Sequence, residues 1–398
     1  MAARPIRSLH VSDLIDSGGA EEVFHDTVAA AQQLGHEVTT LVSDGRRTAI
    51  SYVMSRRWYH RMRALLAEVQ PDLVHLQNYY RFLSPSVLLA IRHHRRDHPD
   101  LRVVHTAHDY HLLSPNSGLQ HFPRGRRTTF DLADPRVPLL AQFDHRSPVH
   151  SALKAGAHAL AYRGLHLQRE FDLVLCPSAT LQGALAAGGV AVPTRLVRNP
   201  VRDPARLGSA EGSAALSPWA EGPPVDGLVY LGRVASEKGL VEFVQALEAC
   251  GGGRLDIYGS GSAIPELTRL LREPLRSEVR LLPRVPRRQV AATMARYRGF
   301  VYPSVWPENA PIAVVEAIIA GLPVLVPAGG GAEEIARRSR QWVTFDPADV
   351  SSVQRGIDAL QGFSGRNGLL DPEEFSFASF VARLDELYAS VLPGGAGS

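Results

Sequence analysis

Glu308 and Glu316 stand with seven residues between them in Pro-Ser-Val-Trp-Pro-Glu-Asn-Ala-Pro-Ile-Ala-Val-Val-Glu-Ala, just ahead of Ala320-Gly321-Leu322-Pro323. Proline has a fixed φ and no N–H, so Pro311 suits the first turn of a helix, and the apolar run from Ile312 to Ile319 predicts a buried helix that ends at Gly321. Glu316 then lies in the helix and Glu308 ahead of it. The backbone amides of Asn309, Ala310 and Ile312 fall where a helix has few internal acceptors and where its dipole is positive, which suits a phosphate. Two carboxylates bracketing an anion can grip hydroxyls on either side. A phosphate between two polyhydroxylated groups fits, and a nucleotide sugar is the simplest such ligand.

A second phosphate grip is expected in Tyr230-Leu231-Gly232-Arg233-Val234-Ala235-Ser236-Glu237-Lys238-Gly239, after an apolar strand-like run. Arg233 and Lys238 would leave the carboxyl end of that strand, where open α/β sheets bind ligands. Lysine occurs only at Lys154 and Lys238 among 43 basic residues. In a chain that writes positive charge as arginine, Lys238 points to a site that wants a compact ammonium and not a planar fork. The alternative for Lys238 is an ordinary surface residue after Glu237.

In order along the chain, Gly232-Arg233, Lys238-Gly239, Tyr258-Gly259-Ser260-Gly261, the Glu308/Glu316 pair and Ala320-Gly321-Leu322-Pro323-Val324 resemble the signature of the retaining nucleotide-sugar glycosyltransferases of family four, which have the GT-B fold. Ser17-Gly18-Gly19-Ala20-Glu21 and His108-Asp109 extend the resemblance into the amino-terminal half. The fold implied is α/β, two Rossmann-like parallel-sheet domains facing a central cleft. The activity implied is transfer of a sugar from a nucleoside-diphosphate donor to an acceptor hydroxyl with retention of anomeric configuration. By the same resemblance, Gly19 places its amide near the donor diphosphate or the acceptor, His108 contacts the donor sugar and Asp109 orients it. Glu308 holds sugar hydroxyls near the anomeric carbon, Glu316 the ribose hydroxyls, and the backbone around Arg284 and Val285 reads the base. Tyr258, Gly259, Asn309, Ala310, Pro311 and Ile312 complete the donor site. Asn309-Ala310-Pro311 departs from the Gly-Phe-Gly-like turn common in that family, which alters the amides offered to sugar and phosphate.

Composition bounds this reading. A chain of 398 residues suits two domains with a core each, and 45% hydrophobic with 21% charged residues is typical of a globular protein. A net charge of +3 argues against a nucleic-acid binder that relies on a dominant basic field. Cys176 and Cys250 are too few for a disulfide framework, and Met1 to Ser8 lacks the apolar run of a signal peptide, so a cytoplasmic location is expected. The most apolar stretch, from Ile312 to Val326, is interrupted by Glu316, Gly321 and Pro323, so no membrane span is expected.

Strand-like runs alternate with helical patterns in both halves, which predicts parallel sheets. The strands fall near Ser8 to Val11, Glu37 to Val42, Leu73 to Leu76, Arg102 to Thr106 and Leu173 to Cys176. In the second half they fall near Leu228 to Leu231, Leu255 to Tyr258, Val279 to Leu282, Phe300 to Tyr302, Val324 to Val326 and Trp342 to Phe345. The expected organisation is an acceptor-side domain over residues 1–199, a linker rich in Pro and Gly over 200–226, a donor domain over 227–374 and a closing helix with a disordered tail over 375–398. In the resembling fold the closing helix crosses back onto the first domain.

Leu113 to His150 has little periodicity, as lids and binding loops often do. Its Arg124-Gly-Arg126-Arg127 could meet an anionic acceptor, a phospholipid surface or only water, and Arg92-His93-His94-Arg95-Arg96 reads as the cationic end of a helix. Gly18-Gly19 lacks the three-glycine spacing of the dinucleotide fingerprint, and so does Tyr258-Gly259-Ser260-Gly261, which disfavours a nicotinamide site. His105, His108, Asp109 and His111 span a strand end with no tight metal-ligand spacing. No Asp-any-Asp pair sits at a strand end to hold a divalent ion, so no metal and no cofactor are expected beyond the nucleotide sugar as co-substrate. Arg233, Lys238 and helix amides would neutralise the leaving group, each cation contributing a charge-assisted bond of roughly 1.5–3 kcal/mol. The partners expected are the donor and a small-molecule, glycan or lipid-linked acceptor. Two rival readings are a nucleotide-sugar epimerase on the same fold and a non-catalytic nucleotide-sugar-binding protein.

Overall fold

The computed structural model describes residues 4–13, 18–46, 48–138, 141–201, 224–272 and 274–392. The chain divides into two compact units, one of Met1–Pro200 with Ala378–Ser398, the other of Val201–Phe377. The Pro- and Gly-rich stretch expected as a linker lies largely outside the described residues, as does the tail from Gly394.

Unit 1 is built on a six-stranded parallel sheet in the order β2-β1-β3-β4-β7-β8. Its strands are β1 (Arg7–Ser12), β2 (Glu37–Val42), β3 (Leu73–Leu76), β4 (Arg102–Thr106), β7 (Leu173–Cys176) and β8 (Thr194–Leu196). The helices are α1 (Gly19–Gln33), α2 (Ala49–Val53), α3 (Arg56–Val69), α4 (Ser86–Arg95), α5 (Pro148–His158) and α6 (Ala179–Ala187). The central strands are buried along their whole length, and so read as continuous apolar runs instead of alternating ones. In α1 the core side is set by Val23, Phe24, Thr27, Ala30 and Ala31 at helical spacing. The irregular segment after β4 contains a small antiparallel hairpin, β5 (Gln120–His121) with β6 (Thr128–Thr129), packed through Leu119, Phe122 and Phe143. Arg92 and Arg95 of α4, expected only to cap the helix, also clamp the chain ahead of β7: Arg92 Nε lies 2.7 Å from Glu170 and Arg95 Nη2 2.5 Å from Asp172.

Unit 2 carries the second parallel sheet, in the order β11-β10-β9-β12-β13-β14. These strands are β9 (Val225–Leu231), β10 (Arg254–Tyr258), β11 (Glu278–Leu282), β12 (Tyr297–Val301), β13 (Val324–Pro327) and β14 (Trp342–Phe345). The helices are α7 (Leu240–Ala249), α8 (Ile264–Leu270), α9 (Val290–Met294), α10 (Ile312–Ile319), α11 (Gly330–Ala336) and α12 (Val350–Gln361). The sheet winds outward from β9 in one direction through β10 and β11 and in the other through β12, β13 and β14. The strand order therefore reverses between β9 and β12, the place where doubly wound sheets open a crevice at their carboxyl ends.

The last helix, α13 (Phe377–Val391), belongs to unit 1 from Ala378 onward. Phe380, Leu384, Leu387 and Tyr388 form its buried side. The Tyr388 hydroxyl meets His75 Nδ1 on β3 at 2.7 Å, and Arg102 Nε donates to the Val391 carbonyl at 2.9 Å.

Candidate functional site

Unit 2 brings three of the expected residues, Arg233, Lys238 and Glu308, to the reversal between β9 and β12. The loop after β9 carries Arg233 and Lys238, and the loop after β12 carries Glu308 ahead of α10. Lys238 Nζ lies 2.5 Å from Glu308 Oε1 and donates to the Tyr302 hydroxyl at 2.8 Å. Both charged side chains are nearly enclosed, at 12% and 10% exposure. The ammonium is also within 5.2 Å of the Tyr302 ring centroid and 5.6 Å of that of Trp306, close enough for cation–π attraction. Ser304 Oγ donates to Glu308 Oε1 at 2.7 Å. The lysine expected to grip phosphate thus rests on the carboxylate expected to grip sugar. A charge so largely withdrawn from water needs a partner, and Glu308 supplies it.

Arg233 pairs with Glu237 at 2.5 Å, and its carbonyl accepts from the Tyr230 hydroxyl at 2.8 Å. Burial alone would raise the Glu237 carboxyl, but Arg233 and Lys238 outweigh it and hold the carboxyl below the ordinary range. Glu316 is helical, as the spacing predicts, and its carboxylate meets Arg287, whose segment follows β11. Pro311 is the residue before the helix and not inside its first turn, with ψ 109° and its carbonyl accepting from Val314 N. Its φ of −70° is compatible with a helix, and it is the extended ψ that leaves Pro311 outside α10. Asn309 and Ala310 are engaged in interactions of their own.

Glycines hold these loops against each other. A Cβ at Gly259 would fall 1.9 Å from the Gly232 carbonyl oxygen, and one at Gly239 2.1 Å from that of Pro303. The first contact lets Gly232 N and Val234 N donate to Tyr258 and Ser260 carbonyls, which fixes the base of the Arg233 loop. The Tyr258 ring itself points at Tyr297, with hydroxyls 2.9 Å apart, so Tyr258 and Gly259 support the loop. Arg284 and buried Val285 follow β11 and precede Arg287.

Several contributors are not among the expected residues. Tyr302, Ser304 and Trp306 surround the Lys238–Glu308 pair, and the Gly329-Gly330-Gly331 turn after β13 backs it. Gly331 N donates to the Glu308 carbonyl at 2.7 Å, and a Cβ at Gly331 would lie 1.4 Å from Asn309 O. A run of three glycines after an apolar strand was the available signal for that close approach.

In unit 1, His108 follows β4 and its Nε2 meets Gln77 Oε1 at 2.8 Å. Gln77 donates its amide to Thr27 Oγ1 at 2.9 Å and toward the Val23 carbonyl on α1, so its oxygen must accept from His108. That fixes the proton on Nε2 and leaves Nδ1 as an acceptor. Burial, with His105 nearby, pushes the His108 imidazole down to about 3, so it is neutral. Burial pushes the Asp109 carboxyl up to about 6 against the hydrogen bonds it accepts from Tyr80 and from His111 N. His105 stacks on Phe171 and His111 on Tyr80, and among the described residues no group of three or more His, Cys, Asp or Glu is placed to hold a metal. Gly19 is the first residue of α1, behind Gly18, whose N donates to Glu21 Oε2 at 3.0 Å. Ser17 lies outside the described residues.

Two parallel-sheet α/β units of this kind define the GT-B fold. Residues 226–361, within unit 2, match the profile of the family described as Glycosyl transferases group 1. Sucrose-phosphate synthase from Thermosynechococcus elongatus superimposes with a TM-score of 0.65 at 15% identity, covering 97% of this chain and 99% of its own. A glycosyltransferase from Rickettsia africae gives 0.64 at 13% identity over 98% and 100% of the two chains. HepE from Anabaena, in complex with UDP and glucose, gives 0.60 at 16% identity over 97% and 100%. No curated protein matches the sequence.

Proposed function

We propose that the protein is a retaining glycosyltransferase that uses a nucleoside-diphosphate sugar and needs no metal ion. The observation that carries the reading is the Lys238–Glu308 pair at the strand-order reversal of unit 2, enclosed by Tyr302, Ser304 and Trp306. The family profile within this unit supports it, as does HepE, also solved in complex with UDP-glucose, a ligand with a diphosphate between two hydroxyl-rich groups. Unit 2 carries two carboxylates, Glu308 paired with Lys238 and Glu316 paired with Arg287, suited to the hydroxyls of such a ligand.

In the proposed reaction the bond from the anomeric carbon to the diphosphate oxygen breaks, and one to the acceptor oxygen forms on the same face. The acceptor proton passes to the departing phosphate oxygen. Lys238 and Arg233 hold the charge that develops on the diphosphate, which is worth most where water is excluded. Glu308, released from Lys238, takes sugar hydroxyls, and Glu316, released from Arg287, takes the ribose. His108 contacts the donor sugar through a neutral imidazole.

Donors with different bases and sugars, incubated with EDTA and without acceptor, test the reading by slow release of free sugar. Lys238→Ala is expected to lower that rate by one to two decades, the worth of a charge-assisted bond that strengthens as the diphosphate leaves. Release of an epimerised sugar, binding without turnover, or loss of all activity in EDTA that Mg2+ restores would each overturn the proposal.

A further inference from the structure

The two most exposed large apolar side chains among the described residues both belong to unit 1: Ile50 is 82% exposed and Val149 77%. Ile50 lies on α2, Val149 in the first turn of α5, and the two helices pack against each other. Single exposed apolar residues are ordinary. These adjoin a strongly basic stretch of the sequence. From Asp44 to Ala67 the chain carries six arginines, Arg46, Arg47, Arg56, Arg57, Arg61 and Arg63, with Asp44 as the only acid, although the whole chain has a net charge of +3.

Arg46, Arg56, Arg57, Arg61 and Arg63 are exposed. In α3 the residues Trp58, Met62, Leu65 and Leu66 are turned into the core, which leaves the arginines on the outer side. Among the described residues of this stretch, Arg57 is the one arginine with an acidic partner, Asp44 at 2.6 Å. Beside the arginines opens a cavity of about 270 Å3 lined by Met54, Arg56, Tyr59, His60 and Leu89 among others. Thr48 and Ser51 cap α2 reciprocally, so Ile50 is held outward on a formed turn of helix.

The geometry points to this face as a docking surface for an anionic lipid bilayer. Guanidinium groups bind phosphates of either source, but a nucleic acid offers no apolar layer to receive Ile50 and Val149. Basic side chains against the headgroups and aliphatic tips below them are what an interfacial helix needs. Among the described residues no helix is long and apolar enough to cross a membrane, so the contact is peripheral.

Sedimentation with vesicles of phosphatidylcholine alone, or mixed with an equal amount of phosphatidylglycerol, tests this surface independently of any chemistry in unit 2. The full chain is expected to partition onto the mixed vesicles at least about tenfold better, since each arginine near an anionic leaflet is worth roughly fivefold. High salt should reverse the binding. Ile50→Glu with Val149→Glu should lower partition at least about tenfold, and Arg56→Gln with Arg61→Gln similarly, each with an unchanged thermal midpoint because all four side chains are exposed. Equal partition onto both vesicle types, none onto either, or parental binding by the double glutamate variant would overturn the proposal. The last result would mean nonspecific adsorption by charge alone.

Discussion

Each of the chain's two lysines meets a carboxylate sheltered from water: Lys154 lies 2.9 Å from Asp144, and Lys238 2.5 Å from Glu308. An ammonium offers three donors around a point, which Lys238 uses toward Tyr302 and Glu308, and a guanidinium cannot occupy that position without displacing them. Lys238→Arg is therefore expected to keep the charge and still lose most transfer activity, measured as turnover at saturating donor. Glu308→Gln has two effects of opposite sign. Free Lys238 then lacks its carboxylate, so a nucleoside diphosphate no longer competes with it and should bind several-fold tighter by calorimetry, on the order of 1 kcal/mol. Sugar transfer by the same variant should fall. Weaker nucleotide binding by Glu308→Gln would show that the carboxylate does not restrain the lysine.

At the scale of elements, the loops are held by close backbone approach. Gly331→Ala puts a methyl against the Asn309 carbonyl and should cost about 1–3 kcal/mol, read as a lower thermal midpoint together with weaker nucleotide binding. Buried parallel strands such as β3, β4 and β7 were legible as apolar runs, and the edge strands β2 and β14 also fall where the sequence predicts them. The edge strand β8, Thr-Arg-Leu, and the hairpin of Gln120–His121 with Thr128–Thr129 carry no such run, because their pairing depends on neighbours supplied by the fold. The site divides the same way. The Glu308, Glu316, Arg233 and Lys238 positions were readable from spacing, but the link of Glu316 to Arg287 needs β11 and α10 brought together, which no local pattern encodes. Trp306 read as part of a motif and not as a wall of the lysine's cage.

At the scale of the whole molecule, unit 1 buries many neutral imidazoles. Burial pushes His10 and His108 down to about 3, and His105 and His158 to about 4. The unfolded chain protonates its histidines below about pH 6.5 and the folded one only well below that, so their contribution is complete above 6.5 and is lost as pH falls. At pH 5.5 the loss is about 1 kcal/mol for each. Asp109, raised to about 6, works the other way between roughly pH 4 and 6, but one carboxyl does not offset four imidazoles. The thermal midpoint should drop clearly from pH 7.5 to 5.5, and an unchanged midpoint would mean these rings are hydrated.

Residues 378–398 complete a body whose other members are residues 1–200. Translation is vectorial, so the ribosome delivers the first sheet long before the segment that covers His75 and shields its ring through Tyr388. Until that segment emerges, the flank stays open to chaperones and proteases. A chain that stopped just after Phe377 would hold every residue of unit 2 and still leave unit 1 unfinished.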